Sequence, residues 1–475
     1  MLRLISSLRN LSQPINRLPP EILSRIARHL MEDIHRDATS IIPLTHVCRY
    51  WRESIISIPE NWTLISCHNE DMAAVSLERA KAAPLEICLH MPTATKYPSF
   101  PNIFLPSFGN TRTLAVYLLS TVEEFTDMFP GFPQSMPTLR SLTMDSVDPA
   151  WDQSIDLFEP FVPALKHLKL IDVRLYPSLL ELNTLTEFTI HDSRFGLPLD
   201  TLLDFLEGNP SLERATLRIN FVEPSLRISQ RRITMKNQLQ HLLVDCRDVM
   251  DARALISGIP IQRGAHLRVR LGDKGATLSD VLPESTAHLS TPPSPTHFKL
   301  EHRSYTSSIL LGGPGGSFSF VKPSLPGQFL ANSDFVGLPL ANVREVRFTY
   351  SRANTRSVSD PPAFNPSSFP ALETLAVDCD ANVQRVLSAL LSSPWSSPSL
   401  KTLAFLNCDL PEEFMEELLR FVYKRQNVPT STWLYRVVIV NGLGTFPSAA
   451  SIRRLRQYVK IVDVRMEDEL STDLT

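Results

Sequence analysis

One phrase recurs along this 475-residue chain: a proline, leucines at the third and sixth places, and an apolar residue at the eighth. It reads PTLRSLTM at 137–144, PALKHLKL at 163–170, PALETLAV at 370–377 and PSLKTLAF at 398–405. Looser copies place the middle apolar residue at Leu114, Phe188, Ala215, Leu242, Leu267, Val346 and Val437. Most steps between successive middle positions fall near ~27 residues, within the range of short structural repeats. The one long step, Leu267 to Val346, is close to three such periods, so two units are expected to be hidden or replaced between Leu271 and Leu340. Apolar residues at alternate places read as a strand with one buried face. No single unit of this size buries that face alone, so neighbours must stack around a continuous core.

A period of ~20–29 residues with an L-x-x-L-x-L strand phrase resembles leucine-rich repeats, each a strand followed by a helix or turn. The helices are legible as well. DTLLDFLEGNP closes with Gly208 at a cap position, ANVQRVLSALL has helical periodicity, and EEFMEELLRFVYK opens with acids and closes on Lys424 and Arg425. The predicted fold class is α/β: a small N-terminal helical unit, then an irregular repeat solenoid with a curved parallel sheet and outer helices. Outward strand positions should line the concave face, namely Lys169, His191, Thr216, Arg218, Asp245, Arg268, Arg270, Arg347, Thr349 and Asp378. The arginines among them suit an acidic or phosphorylated partner. Solvated strand residues are an equal reading, because exposed arginines need no partner.

The N-terminal segment has a different grammar. LPPEILSRIARHL at 18–30 puts prolines and Glu21 at a helix start, with Leu18, Ile22, Ile26 and Leu30 four apart and Leu23 alongside. A second helix is predicted from Ser40 as N-cap, carrying Ile41, Leu44, Cys48, Trp51 and Ile55 on its buried stripe. Ile58-Pro59 to Trp62 adds a third anchor. Taken in order, Leu18-Pro19-x-Glu21-Ile22-Leu23, Ile26, Leu30, Val47-Cys48-Arg49-x-Trp51-Arg52, Ile58-Pro59 and Trp62 resemble an F-box over roughly residues 14–63. The connection between Leu30 and Leu44 is longer than most members have. The resemblance, of fungal type with divergent repeats, implies docking onto the Skp-family adaptor of a cullin–RING ubiquitin ligase. Leu18, Pro19, Glu21, Ile22, Ile26, Val47, Cys48 and Trp51 are the candidates for that face or its support. Some fifty residues bury little surface by themselves, so a partner helix on an apolar face is physically reasonable.

The predicted organisation is a flexible N-terminus over 1–13, the helical unit over 14–63 and repeats over 64–271. A Gly/Pro/Ser-rich insertion follows over 272–340, then repeats over 341–460 and an acidic tail over 461–475. Within the insertion, FKLEHRSY and SFSFVK are candidate strands of a hairpin, while TPPSP, LGGPGGS and KPSLPG mark turns.

Several chemistries are disfavoured. A formal net charge of -3 gives no bias toward nucleic acid, and the basic QRRITMK at 230–236 lacks interleaved aromatics. Apolar runs fall short of the ~20 residues of a membrane span. Six cysteines without a C-x-x-C pair support neither a zinc site nor a disulfide framework, and a cytoplasmic or nuclear location fits them. LGGPGGS lacks the Lys-Ser/Thr of a phosphate loop. His191-Asp192-Ser193 puts neighbours on opposite strand faces, so no triad forms. Glu123-Glu124 and Glu412-Glu413 suit helix starts. Cys48 reads as a packed thiol rather than a nucleophile. The expectation is a non-catalytic receptor without cofactor or metal, binding the adaptor, through it a cullin, and a target protein; the alternative is a repeat scaffold without any ligase role.

Overall fold

The computed structural model describes residues 13–33, 38–66, 69–91, 104–118, 135–146, 162–173, 181–192, 198–219, 233, 239–261, 265–273, 278–281, 295–303, 306–313, 316–323, 338, 340–350, 365–378, 383–393, 396–408, 410–427, 433–441 and 447–466. The chain divides into two units, Met1–Arg214 and Ala215–Thr475.

The N-terminal unit opens with a 3₁₀ turn, Pro14–Arg17, and helix α1, Pro20–Asp33. Ile22 and Leu23 donate their N–H groups to Pro19 O, as expected where prolines begin a helix. The inward stripe is Leu23, Ala27 and Met31; Ile26 and Leu30 are half-buried and Ile22 is exposed. The buried stripe is thus rotated one residue from the predicted one, or about 100° around the helix.

The predicted second helix is two pieces. A 3₁₀ turn, Ala38–Ile41, runs into the short helix α2, Ile42–Thr45, and α3 then spans Arg49–Ser57. Cys48 separates the helices in extended conformation as the N-cap of α3. Arg52 Nε donates to Thr45 O at 2.8 Å, tying the two pieces across the break. Cys48 is half-buried rather than on a core stripe. A further 3₁₀ turn, Pro59–Trp62, buries Asn61 and Trp62, and both side chains donate to Ile55 O, at 3.2 and 3.0 Å.

Strands β1 (Leu64–Ser66), β2 (Leu85–Met91), β3 (Thr111–Leu118), β4 (Ser141–Ser146), β5 (His167–Ile171) and β6 (Glu187–Asp192) pair successively and in parallel. The register places Ile65, Ile87, Leu114, Leu142, Leu168 and Phe188 in one row, and every one is buried. Each such side chain contributes about 2 kcal/mol of apolar burial. Helix α4, Glu70–Ala80, is capped by the Asn69 side chain and packs on β1 and Trp62, with Arg79 4.3 Å over the indole. Helix α5, Leu199–Gly208, sets Phe205 against Phe188 at 4.6 Å.

Strand β7, Arg214–Ile219, crosses the division between the units. The C-terminal unit continues with β8 (His241–Cys246), α6 (Val249–Gly258), β9 (His266–Leu271) and α7 (Leu278–Val281). Strands β10 (His297–Arg303), β11 (Thr306–Gly313) and β12 (Gly316–Pro323) follow. Next come β13 (Glu345–Tyr350), β14 (Thr374–Asp378), α8 (Val383–Ser392), β15 (Thr402–Leu406) and α9 (Glu412–Gln426). The last elements are β16 (Arg436–Asn441), α10 (Ala449–Leu455) and β17 (Ile461–Met466). From β13 to β17 the pairing is parallel and sequential, with Val346, Leu375, Leu403 and Val437 in one buried row. Helix α9 covers that face, Phe414 meeting Phe405 edge-on at 5.1 Å.

The insertion departs from the strand–helix rhythm. Its three strands form an antiparallel meander laid into the sheet in the order β9–β12–β11–β10–β13, with parallel junctions at both ends. Three strands therefore stand where two hidden units were expected, and β11 lies between the two predicted hairpin strands. The core row survives the detour: Leu267, Phe318, Leu311, Phe298 and Val346 lie opposite one another in turn, all buried. The ends of LGGPGGS belong to β11 and β12, and Gly316 opens β12 at φ 121°, which favours glycine. At the C-terminal end, residues 461–466 are a strand and not the start of a tail. The N-terminus before Gln13, the tail beyond Met466, Glu123-Glu124, Ser193 and all of QRRITMK except Ile233 lie outside the described residues.

Candidate functional site

One set of predicted site residues is on the N-terminal helices. Pro19, Glu21, Ile22 and Val47 are exposed, and Leu18, Ile26 and Cys48 are half-buried. Exposure reaches 37% at Ile22 and 50% at Val47, joined by Ile15 at 53% and Ile42 at 40%. These four large apolar side chains stay open to solvent while the block's own core is supplied by Leu23, Ala27, Ile41 and Ile55. Trp51 belongs to that core at 4% exposure, and its indole N–H has no acceptor among the described residues.

Two hydrogen bonds bring the initial turn against α3. The Cys48 thiol donates to Asn16 Oδ1 at 3.6 Å, and Tyr50 Oη donates to Leu18 O at 2.7 Å. Ile15 and Val47 each immediately precede one of the two residues joined by the thiol bond. The Cys48 thiol therefore acts as a tie between segments. Ser24 Oγ donates to Asn61 Oδ1 at 2.6 Å, fixing the back of α1 to the 3₁₀ turn. Sequence reasoning missed Ile15 and Ile42. Ile42 was hidden by its neighbour Ile41, which took the core position, and the signal for Ile15 was an apolar residue stranded in the proline-led PINR turn.

Residues 15–68 match the family model described as F-box-like. The chain carries an F-box-like domain. That domain comprises the initial turn, α1 to α3, the turn at Pro59–Trp62 and β1, and its exposed apolar side chains are those just described. No curated protein matches the chain.

The remaining predicted residues lie on the open strand faces of the two units, each taken by itself. In the N-terminal unit that face carries Lys169, exposed, on β5 and His191, half-buried, on β6, both near enough to Asp145 on β4 to act on its charge, as does Asp172. Burial raises the Asp145 carboxyl; Lys169 pulls it back, Asp172 adds to the rise, and His191 opposes it. Asp192 turns inward and is buried, opposite in direction to His191. In the C-terminal unit Arg218 Nε lies 3.3 Å and Arg270 Nη1 4.0 Å from Asp245 Oδ2, with Arg268 exposed two places before Arg270. Arg347 Nη2 donates to Asp378 Oδ2 at 3.1 Å, and Asn407 Nδ2 donates to Asp378 Oδ1 at 3.2 Å. The arginines are therefore partly neutralised by acids on adjacent strands. Further along, Asp463 accepts from Arg436 at 2.8 Å and from Arg465 at 3.0 Å, and these donors hold its carboxyl below the usual range. Burial pushes the Cys246 thiol up, which keeps it protonated and unreactive.

Proposed function

We propose that this chain is the substrate receptor of an Skp–cullin–F-box ubiquitin ligase. The observation that carries the reading is the set of exposed apolar side chains, Ile15, Ile22, Ile42 and Val47, on the residues that match the F-box-like model. F-box domains generally bind Skp-type adaptors, and an adaptor helix laid over these side chains would remove them from water at about 1.5–3 kcal/mol each when fully covered. The strands that follow are read as a divergent leucine-rich-repeat solenoid, whose open face takes the target protein. The receptor is non-catalytic and works in the cytoplasm or nucleus. It raises the concentration of target lysines near a ubiquitin-charged enzyme held through the cullin.

The test is co-purification with the Skp-family adaptor. Ile22→Asp combined with Val47→Asp changes exposed positions only, so the fold should survive and adaptor recovery should fall more than tenfold. Undiminished recovery would overturn the proposal. One observation favours a scaffold reading: the Ala38–Ile41 turn of the F-box-like domain, with α4, covers β1, as a repeat cap does. Capping depends on the buried side of the helices and docking on the exposed side, so the same double variant separates the two roles.

A further inference from the structure

In the N-terminal unit the first strand is closed. Leu64, Ile65 and Ser66 of β1 are all buried beneath α4 and the Ala38–Ile41 turn. The last strand of the C-terminal unit is not. Among the described residues β17 pairs only with β16. Its Val462 and Val464 stand opposite Val437 and Ile439, which are fully buried, yet both remain half-buried. Such an edge, with an apolar row half in water and a line of backbone groups that no described strand pairs, is a template for another strand.

Which backbone groups are free follows from the pairing. The Ile461 N–H donates to Tyr435 O at 3.0 Å, so the groups of residues 461, 463 and 465 turn toward β16. Those of Val462 and Val464 turn outward. The side chains alternate in step with them: Asp463 and Arg465 lie on the open face, Val462 and Val464 on the core face.

We propose that this edge pairs antiparallel with β17 of a second copy of the chain, about a two-fold axis through Val464. In that register the two Val464 residues exchange both N–H···O bonds. Asp463 of each copy then stands opposite Arg465 of the other in a non-hydrogen-bonded pair, the arrangement in which side chains approach closest. Opposite charges so placed stabilise a strand pair and like charges oppose it. Centring on Val462, the other outward residue, would set Asp463 against Ile461 and Arg465 against Val459, with no charge complement. The strand is therefore self-complementary in one register. Asp463 already holds Arg436 and Arg465 within its own chain, and the second copy extends that pair into a ladder of alternating sign. With the axis normal to the sheet, the open faces of both C-terminal units point the same way, so one target with two binding segments would be held bivalently.

Sedimentation of the full chain over a range of concentrations tests this. The mass should rise from 53.5 kDa toward twice that value. Arg465→Asp sets like charges opposite each other, and Val464→Pro removes an N–H that β16 does not use. Each should weaken association at least tenfold with unchanged circular dichroism, and exchanging the two charges, Asp463→Arg with Arg465→Asp, should recover it. A chain that stays monomeric at every concentration, or a dimer equally strong in both single variants, overturns the proposal. Loss of adaptor binding in the Ile22/Val47 variant has no bearing on this result, so the two accounts fail separately.

Discussion

Arg425 shows how much a single residue can hold in a stacked array. It is 1% exposed, and its guanidinium donates to the carbonyls of Ser397, Pro398 and Leu400 at 2.9, 3.1 and 2.9 Å. Burial lowers its pKa to about 10, which leaves it charged at neutral pH. It pins the end of α9 to the turn that feeds β15. Arg425→Met should strand those carbonyls and cost on the order of 3 kcal/mol, measured as a fall in denaturation midpoint. In the sequence this arginine reads as an ordinary helix-closing cation, because nothing local distinguishes a buried guanidinium from a solvated one.

Glu187 gives a residue-level prediction with a sign. Burial pushes its carboxyl up, but Arg214 and His167, at 3.0 and 3.1 Å, outweigh burial and hold it below the usual value. An acid with a lowered folded pKa contributes stability above its unfolded value, about 4.3, and loses it as pH falls through the lower folded value. Thermal midpoints of the wild type and Glu187→Gln should therefore differ at pH 7 and converge once the pH has fallen below the lowered folded value. A gap that persists in acid would remove the charge pairing from the explanation.

At the scale of elements, α4 links the F-box-like domain to the strands, and its first turn depends on Asn69 Oδ1 accepting from Met72 N at 3.0 Å. Asn69→Ala should cost about 1 kcal/mol and Asn69→Ser much less, seen as shifts in denaturant midpoint. Most strands were legible for a definite reason. The period-two pattern and the ~27-residue repeat are independent signals, and where both agree the phase of a strand is overdetermined. All the middle positions whose register is described, from Leu114 to Val437, fall into buried rows. Helices carry no such cross-check. Leu18, Ile22, Ile26 and Leu30 form as good a stripe as Leu23, Ala27 and Met31, and only packing against α3 and the 3₁₀ turns selects the second. The break at Cys48 was masked by the helical spacing of its neighbours. β11 has no counterpart among the predicted strands, although its Ser307, Ile309 and Leu311 alternate inward; its end overlaps LGGPGGS, whose glycines mark a turn.

For the molecule as a whole, one compact unit, Met1–Arg214, holds both the F-box-like domain, whose match ends at residue 68, and the first strands. Removing residues 1–69 would strip β1 and its helices from β2 and expose Ile87 and Leu89, both buried in the intact chain. The truncated protein should aggregate or melt at lower temperature, whether or not the domain also docks a partner. Deletion therefore cannot separate a cap from an interface; substitution on the exposed side can. The predicted target residues distribute over both units, and the ion pairs of Asp245 and Asp378 make the open face a mosaic of charge more than a basic patch.

The most direct measurement is calorimetric titration of the purified chain with a purified Skp-family adaptor. The account predicts saturable one-to-one binding by the wild type, and none by Ile22→Asp/Val47→Asp at an unchanged thermal midpoint. Absence of binding by the wild type, or equal binding by the double variant, would contradict it.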